Sequence, residues 1–235
     1  MTAQTASTAL FQPIVDLRAA RVIGFEALTR FADGLSPLEH LRAAETEGRR
    51  EQLELQLIAA AVDAASALPP HLFVTLNASG QTMTDPFLAE LLQRGERAWG
   101  LELFEGSAPE DCVAVRAQVD RLGGFLLIDD AGADHSDEDR IRQLQPDIVK
   151  IDRELFWRSG EGDGPGRIDS LLAAARAVGA QTLIEGVEDA AQLTAAHALD
   201  ADLAQGYHLG RPTPPDGVAG MLTELEQRTG VVAAA

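Results

Sequence analysis

The chain has 235 residues, 46% of them hydrophobic, and a formal net charge of −18 from 37 acidic against 19 basic side chains. This is enough for one large domain, but the sign of the charge excludes a wide grip on an extended nucleic-acid backbone, while leaving open a small anionic substrate held through divalent cations. Cys112 is the single cysteine, which excludes a disulfide framework and a thiolate metal site; no apolar run nears the roughly 18 residues of a membrane span and Met1 to Thr8 lacks signal-peptide character, so the chain reads as cytoplasmic.

In chain order, residues 1–9 read as a flexible start. Strand candidates follow at Phe11 to Val15 and Val22 to Glu26. Only Asp16 to Arg21 joins them, too little for a crossover helix, so the two are expected to form an antiparallel hairpin. Leu53, Leu57, Ile58, Ala61, Val62, Ala65 and Leu68 recur at three- and four-residue intervals, giving a helix with one apolar and one polar face that stops at Pro69-Pro70. Further strands are expected at Leu72 to Asn77, Ala98 to Glu102, Phe125 to Asp129, Ile148 to Ile151 and Thr182 to Glu185, with a weaker one at Ala204 to Tyr207. Ser159 to Gly166 reads as a glycine-rich acidic loop, and residues 229–235 as a flexible tail. The alternation predicts a single α/β domain over residues 10–228. Its expected form is a (β/α)8 TIM-like barrel with an irregular, partly antiparallel N-terminal strand pair.

Polar residues recur where these strands end: Glu26, Asn77, Glu102, Asp129 with Asp130, Lys150, Glu185 and Gln205. In a barrel that end is the active-site face. Singly, each has an ordinary alternative as a solvated rim residue, Asp130 also as a helix N-cap and Lys150 as a rim salt bridge. Together they repel: two carboxylates ~4 Å apart cost ~4 kcal/mol at an effective dielectric of 20, so convergence calls for cations. Oxygen donors without paired His or Cys suit Mg2+ or Mn2+ better than Zn2+. Adjacent Asp129 and Asp130 suit two ions at the ~3.5–4 Å spacing of in-line phosphoryl chemistry.

In order along the chain stand Phe11-Gln12-Pro13-Ile14-Val15-Asp16-Leu17, Glu26-Ala27-Leu28-Thr29-Arg30, Asn77-Ala78-Ser79, Asp129-Asp130, Ile148-Val149-Lys150-Ile151-Asp152, Glu185-Gly186-Val187-Glu188 and Gln205-Gly206-Tyr207. From Phe11 to about Pro215 the sequence resembles the EAL family of cyclic di-GMP phosphodiesterases. The resemblance implies hydrolysis of one phosphodiester bond of cyclic di-GMP to linear pGpG with two divalent ions. It implies metal-site donors at Glu26, Asn77, Glu102, Asp129, Asp130 and Glu185, and a catalytic Lys150 with Glu188 beside it. Gln12, Leu28, Arg30 and Gln205 fall on the substrate side, Arg30 gripping a phosphate through its planar fork. Aligning Glu102 as a donor puts Glu105 at the family's loop-steadying glutamate and Phe104 where the family has threonine.

The stretch after Asp130 departs from the family. It runs Ala131-Gly132-Ala133-Asp134-His135-Ser136-Asp137, keeping Gly132 and Ser136 but losing the family's phenylalanine, second glycine and second serine. Here His135 reads as an aromatic stand-in, and Asp134, Asp137, Glu138 and Asp139 as a solvated acidic helix start. The altered stretch motivates a second reading, a cyclic di-GMP receptor without turnover, and a third is a protein-interaction module. The family habit also implies a homodimer, and regulation is expected from a protein partner.

Overall fold

The computed structural model describes residues 5–103, 112–132, 137–158 and 164–233. Strand β1 (Ser7–Asp16) pairs antiparallel with β2 (Arg21–Phe31) over a ladder running from Ser7↔Phe31 to Asp16↔Arg21. The hairpin turns where Asp16 Oδ1 accepts the Ala19 N–H at 2.8 Å, a local bond that favours reversal over further strand. Both strands are longer than their sequence signal. β1 begins at Ser7, inside the stretch expected to be flexible, and β2 continues five residues past Glu26, because each strand supplies the other's backbone partners there.

Helix α1 (Pro37–Thr46) opens on a reciprocal capping box between Ser36 and Glu39, with proline at its first position. Helix α2 (Arg50–Ala65) carries the expected apolar face, and Arg97 donates to its last carbonyl, Ala65 O, at 2.6 Å and to Leu68 O just beyond it at 3.2 Å. The chain continues through β3 (Phe73–Ala78), α3 (Gly80–Thr84), α4 (Pro86–Leu92), β4 (Trp99–Leu103), α5 (Cys112–Arg121), β5 (Phe125–Ala131) and α6 (Asp137–Leu144). Then come β6 (Ile148–Ile151), α7 (Arg153–Trp157), α8 (Gly164–Val178), β7 (Gln181–Ile184), α9 (Ala190–Ala198), β8 (Leu203–Ala204), α10 (Val218–Thr229) and β9 (Val232–Ala233).

Strands β2 to β8 are parallel neighbours in sequence order, and β1 closes the barrel by pairing antiparallel with both β2 and β8. The fold is thus an α/β TIM-like barrel with an antiparallel N-terminal strand. The tail departs from expectation. α10 runs to Thr229, and Val232 and Ala233 then pair with Arg21 and Val22, extending the sheet beside β2. Two residues without periodicity give no sequence signal, but their backbone groups find an open edge. β8 is likewise only two residues long, so Gln205 to Tyr207 lie beyond it rather than inside a strand.

The barrel interior has a packed floor. Ile14, Leu127, Ile148, Leu183 and Leu203 form one buried apolar cluster there. On β4 the position is Gly100, where an added Cβ would lie 2.7 Å from Thr75 and 2.8 Å from Leu127, so bulk from neighbouring strands fills the layer. The larger core lies outside, between the strands and the helices.

Candidate metal and substrate site

Side chains alternate across a strand, so the residue two positions from an inward floor residue also points inward. Stepping up from Leu127, Ile148, Leu183 and Leu203 gives Asp129, Lys150, Glu185 and Gln205; stepping up from Gly100 gives Glu102. On antiparallel β1 the step from Ile14 runs backwards to Gln12, which pairs with Glu26 across the hairpin. Asn77 pairs with Glu102 on the other side. Each of the eight barrel strands, or the residue directly after it in the case of Glu185 and Gln205, therefore contributes one inward polar residue above the apolar floor.

Asp130 is the exception to alternation. The ladder between β5 and β6 is regular to Ile128↔Val149, shifts register, and resumes at Ala131↔Ile151. Within that bulge Asp130 has φ 53°, a left-handed conformation that aspartate tolerates better than most residues. The bulge lets neighbouring carboxylates serve one site: Asp129, Asp130 and Glu185 each offer an oxygen, all within 4.8 Å of one another.

Lys150 stands at the centre. Its side chain is 1% exposed, and Nζ lies 2.6 Å from Asp129 Oδ1, 2.8 Å from Glu102 Oε2, 2.8 Å from Glu185 Oε1 and 3.6 Å from Glu26 Oε2. Burial alone would depress the ammonium, but Asp129, Glu102, Glu185 and Glu26 outweigh it and hold the lysine well above its ordinary range. The carboxylates respond oppositely. Burial, reinforced by Glu26 and Asp129 against the pull of Lys150, pushes Glu102 up to about 8. Burial likewise raises Glu185 well above the usual carboxylate range, with Asp129 and Glu26 adding to it and Lys150 opposing.

Four carboxylates, Glu26, Glu102, Asp129 and Glu185, thus share one lysine ammonium, leaving an excess of three negative charges if all are ionised, and Asp130 adjoins them. In addition, Glu102 Oε1 is buried without a hydrogen-bond partner among the described residues. Hard oxygen donors, excess negative charge and an unsatisfied buried carboxylate oxygen fit divalent cations. Asn77 Nδ2 approaches Glu26 Oε1 at 3.4 Å, which leaves the amide oxygen available as a further donor.

The remaining expected residues take two kinds of position. Gln205 donates to Glu26 Oε2 at 2.7 Å and to Gln12 Oε1 at 3.1 Å, while Gln12 donates to Gly210 O at 3.0 Å, so this chain of amides fixes the Glu26 carboxylate. Gln205 itself is held by the close approach of Gly206 to Val187, where a Cβ would fall 2.2 Å from the valine backbone nitrogen and oxygen. Leu28, Arg30 and Glu188 line the mouth of a cavity of about 410 Å³ that opens above Asp129, Lys150 and Glu185. The Arg30 guanidinium is exposed there and donates only to Thr29 O, at 3.0 Å, among the described residues. A second, more apolar recess of about 580 Å³ adjoins it between α1, α2, β2 and β3, sharing Glu26, Arg30, Asp129 and Asp130.

Sequence reasoning missed Arg153 and Tyr207, which also line the mouth. Arg153 directly follows the block Ile148 to Asp152, while Tyr207 closes the block Gln205-Gly206-Tyr207 but was given no role; it lies under the Arg211 guanidinium at 4.2 Å from its ring centroid. It also missed Glu54 on the face of α2 read as polar. That carboxylate is buried, paired with Arg50 at 2.8 Å, and accepts the Ser79 N–H at 2.9 Å just beyond Asn77. Glu105, expected to steady a neighbouring loop, lies outside the described residues, as does His135.

Residues 3–212 match the family model described as the EAL domain. Among curated proteins, the chain is 29% identical over 232 residues to the uncharacterized protein y4lL of Sinorhizobium fredii, covering 90% of this chain and 27% of that protein. It is 28% identical over 224 residues to the cyclic di-GMP phosphodiesterase RocR of Pseudomonas aeruginosa, covering 88% of this chain and 57% of RocR. This chain therefore spans under two thirds of the length of either relative. Among solved structures, BlrP1 of Klebsiella pneumoniae in a manganese and cyclic di-GMP complex superposes with a TM-score of 0.78 at 25% identity, over 92% of this chain and 58% of that one. No helix among the described residues is long and apolar enough to cross a membrane.

Proposed function

We propose, since this chain belongs to the EAL domain family, that it hydrolyses cyclic di-GMP to linear pGpG with two divalent cations, Mg2+ or Mn2+. The observation that carries this reading is the excess of carboxylates over ammonium around the buried Lys150. Burial and mutual repulsion push Glu102 and Glu185 towards their protonated forms, and bound cations would take the place of those protons. The named activity of RocR and the contents of the BlrP1 complex support the same assignment.

In this reading Glu26, Asn77, Glu102, Asp129, Asp130 and Glu185 hold the ions. When bound, they supply Lewis-acid stabilisation of the developing phosphoryl charge and a water of lowered pKa. Lys150 stays charged, keeps the carboxylates from repelling one another apart, and presents an N–H donor to the attacking water or the phosphoryl oxygens. Gln205 and Gln12 keep the Glu26 carboxylate oriented through their hydrogen bonds. Arg30 takes a phosphate of the substrate in the open mouth, with Leu28 and Glu188 alongside it, and Glu188 assists the reaction from the substrate side.

Purified protein incubated with cyclic di-GMP and Mn2+ or Mg2+ is expected to release pGpG, detected by chromatography, and to lose this activity with chelator or in Asp129→Ala. Absence of product beyond the Asp129→Ala control would contradict the proposal. The atypical stretch after Asp130 favours one alternative, a receptor that binds without turnover. It is identified by saturable cyclic di-GMP binding without product in either metal.

A further inference from the structure

The stretch after Asp130 is where this sequence leaves the family pattern, and the first acidic residue of α6 is not the solvated helix start it was expected to be. The Asp137 side chain is 1% exposed. Its Oδ2 turns back out of the helix to accept the Gly132 N–H at 2.7 Å, and it pairs with Arg167 of α8 at 3.1 Å. Arg167 also reaches Glu138 at 2.5 Å, and the Ser170 hydroxyl donates to the same Glu138 oxygen at 2.7 Å.

A fully buried carboxylate is a costly way to satisfy one backbone N–H; a short neutral side chain at the helix start does this without a counter-ion. What distinguishes this one is the group it holds. Gly132 is two residues past Asp130, its φ is 118°, and an added Cβ would lie 2.3 Å from Leu155. The Asp129–Asp130 bulge therefore sits between fixed points: the Ile128↔Val149 and Ala131↔Ile151 rungs, and the Gly132 N–H on Asp137. The Gly132 bond thus adds a second backbone anchor, beside the Ala131↔Ile151 rung, on the C-terminal side of the left-handed turn at Asp130.

We propose that Asp137, with Arg167 as its counter-ion, is a positioning residue for the Asp129–Asp130 pair and so sets the affinity of the site for divalent cations. This rests on the metal-site reading above. Asp137 and Arg167 touch neither substrate nor metal; they act through the Gly132 backbone.

The test is a Mn2+ titration followed by thermal shift, a readout independent of hydrolysis, on wild type, Asp137→Ala, Asp137→Asn and Arg167→Gln. Outer-shell partners of metal ligands typically carry ~10–100-fold in metal affinity. Asp137→Ala is expected to raise the Mn2+ concentration at half-maximal shift by about that factor. Asp137→Asn, which keeps an oxygen for the Gly132 N–H, recovers most of the loss, and Arg167→Gln lies between them. A merely structural role lowers the metal-free melting temperature in all three without moving the half-saturation point, and that result overturns the proposal. Should Asp137→Ala fail to fold, an unchanged half-saturation in Arg167→Gln overturns it equally. A wild-type protein showing no Mn2+-induced shift contradicts the metal-site reading itself and removes this proposal with it.

Discussion

At neutral pH the Lys150 ammonium faces Glu26, Glu102, Asp129 and Glu185 from 2.6 to 3.6 Å, and no other cation among the described residues comes as close to all four. Removing one partner from a buried ionic cluster costs about 3–5 kcal/mol. Lys150→Met is therefore expected to lose about that much stability in chelator at pH 8, measured by chemical denaturation, and to regain part of it in Mn2+. The pH dependence follows from Glu102. Its folded pKa of about 8 stands above the ordinary 4.5, so the folded state binds more protons than the unfolded state between those values. That contribution is complete below about 4.5 and is lost as pH rises through about 8. Metal-free protein should thus melt at progressively lower temperature from pH 5 to pH 8.5, and saturating Mn2+ should flatten the decline; a metal-free melting temperature that rises over this window would contradict the charge cluster. Arg30 is a gentler case, since it is exposed and its task is to bind. Arg30→Ala should raise KM about tenfold, the worth of one charge-assisted bond of ~1.4 kcal/mol, while kcat stays within a few-fold. Residues such as Asp129, Lys150 and Glu185 were legible because each sits where an apolar strand run ends. Arg153, Tyr207 and Asp137 belong to loops and helix starts, where no periodicity marks a side chain as inward-facing.

Among the elements, the N-terminal hairpin shows both what strand patterning reveals and where it stops. The short link from Asp16 to Arg21 dictated antiparallel pairing, as observed. The run ending at Glu26 suggested a strand end, yet β2 continues to Phe31 because β1 supplies partners that far, so Glu26 is mid-strand and still inward. Likewise β9 exists only because β2 offers an open edge near Arg21 and Val22, a relation between distant segments that no local pattern encodes. The turn after β8 gives an element-scale prediction. Gly206→Ala places a methyl 2.2 Å from the Val187 backbone and must shift either Gln205 or the segment following Glu185. Strain of ~1–3 kcal/mol is expected there, with hydrolysis reduced at least tenfold while far-ultraviolet circular dichroism stays unchanged. Full activity in this variant would show that the Gln12–Gln205–Glu26 chain of amides does not position the carboxylate.

For the whole molecule, the −18 charge and the barrel speak to one another. The alternation of strands and helices made the barrel legible from sequence, and inward positions at one end of its strands turn scattered polar residues into one site. A closed barrel of this size should unfold as a unit, with cations binding only its folded form. Mn2+ at about 100 times its dissociation constant then stabilises by ~2.7 kcal/mol per site, and for a chain of this length that raises the melting temperature by about 5–10 °C. The sequence reading expects two ions from the adjacency of Asp129 and Asp130, but it carries no sign of the bulge at Asp130 that brings these neighbouring carboxylates to one side. Equilibrium dialysis against Mn2+ counts the ions directly. Two Mn2+ ions per chain in the wild type, falling to one or none in Asp129→Ala, is the expected result; a wild-type chain that binds no Mn2+ would mean that Lys150 alone balances the carboxylates, and would contradict two-cation chemistry at this site.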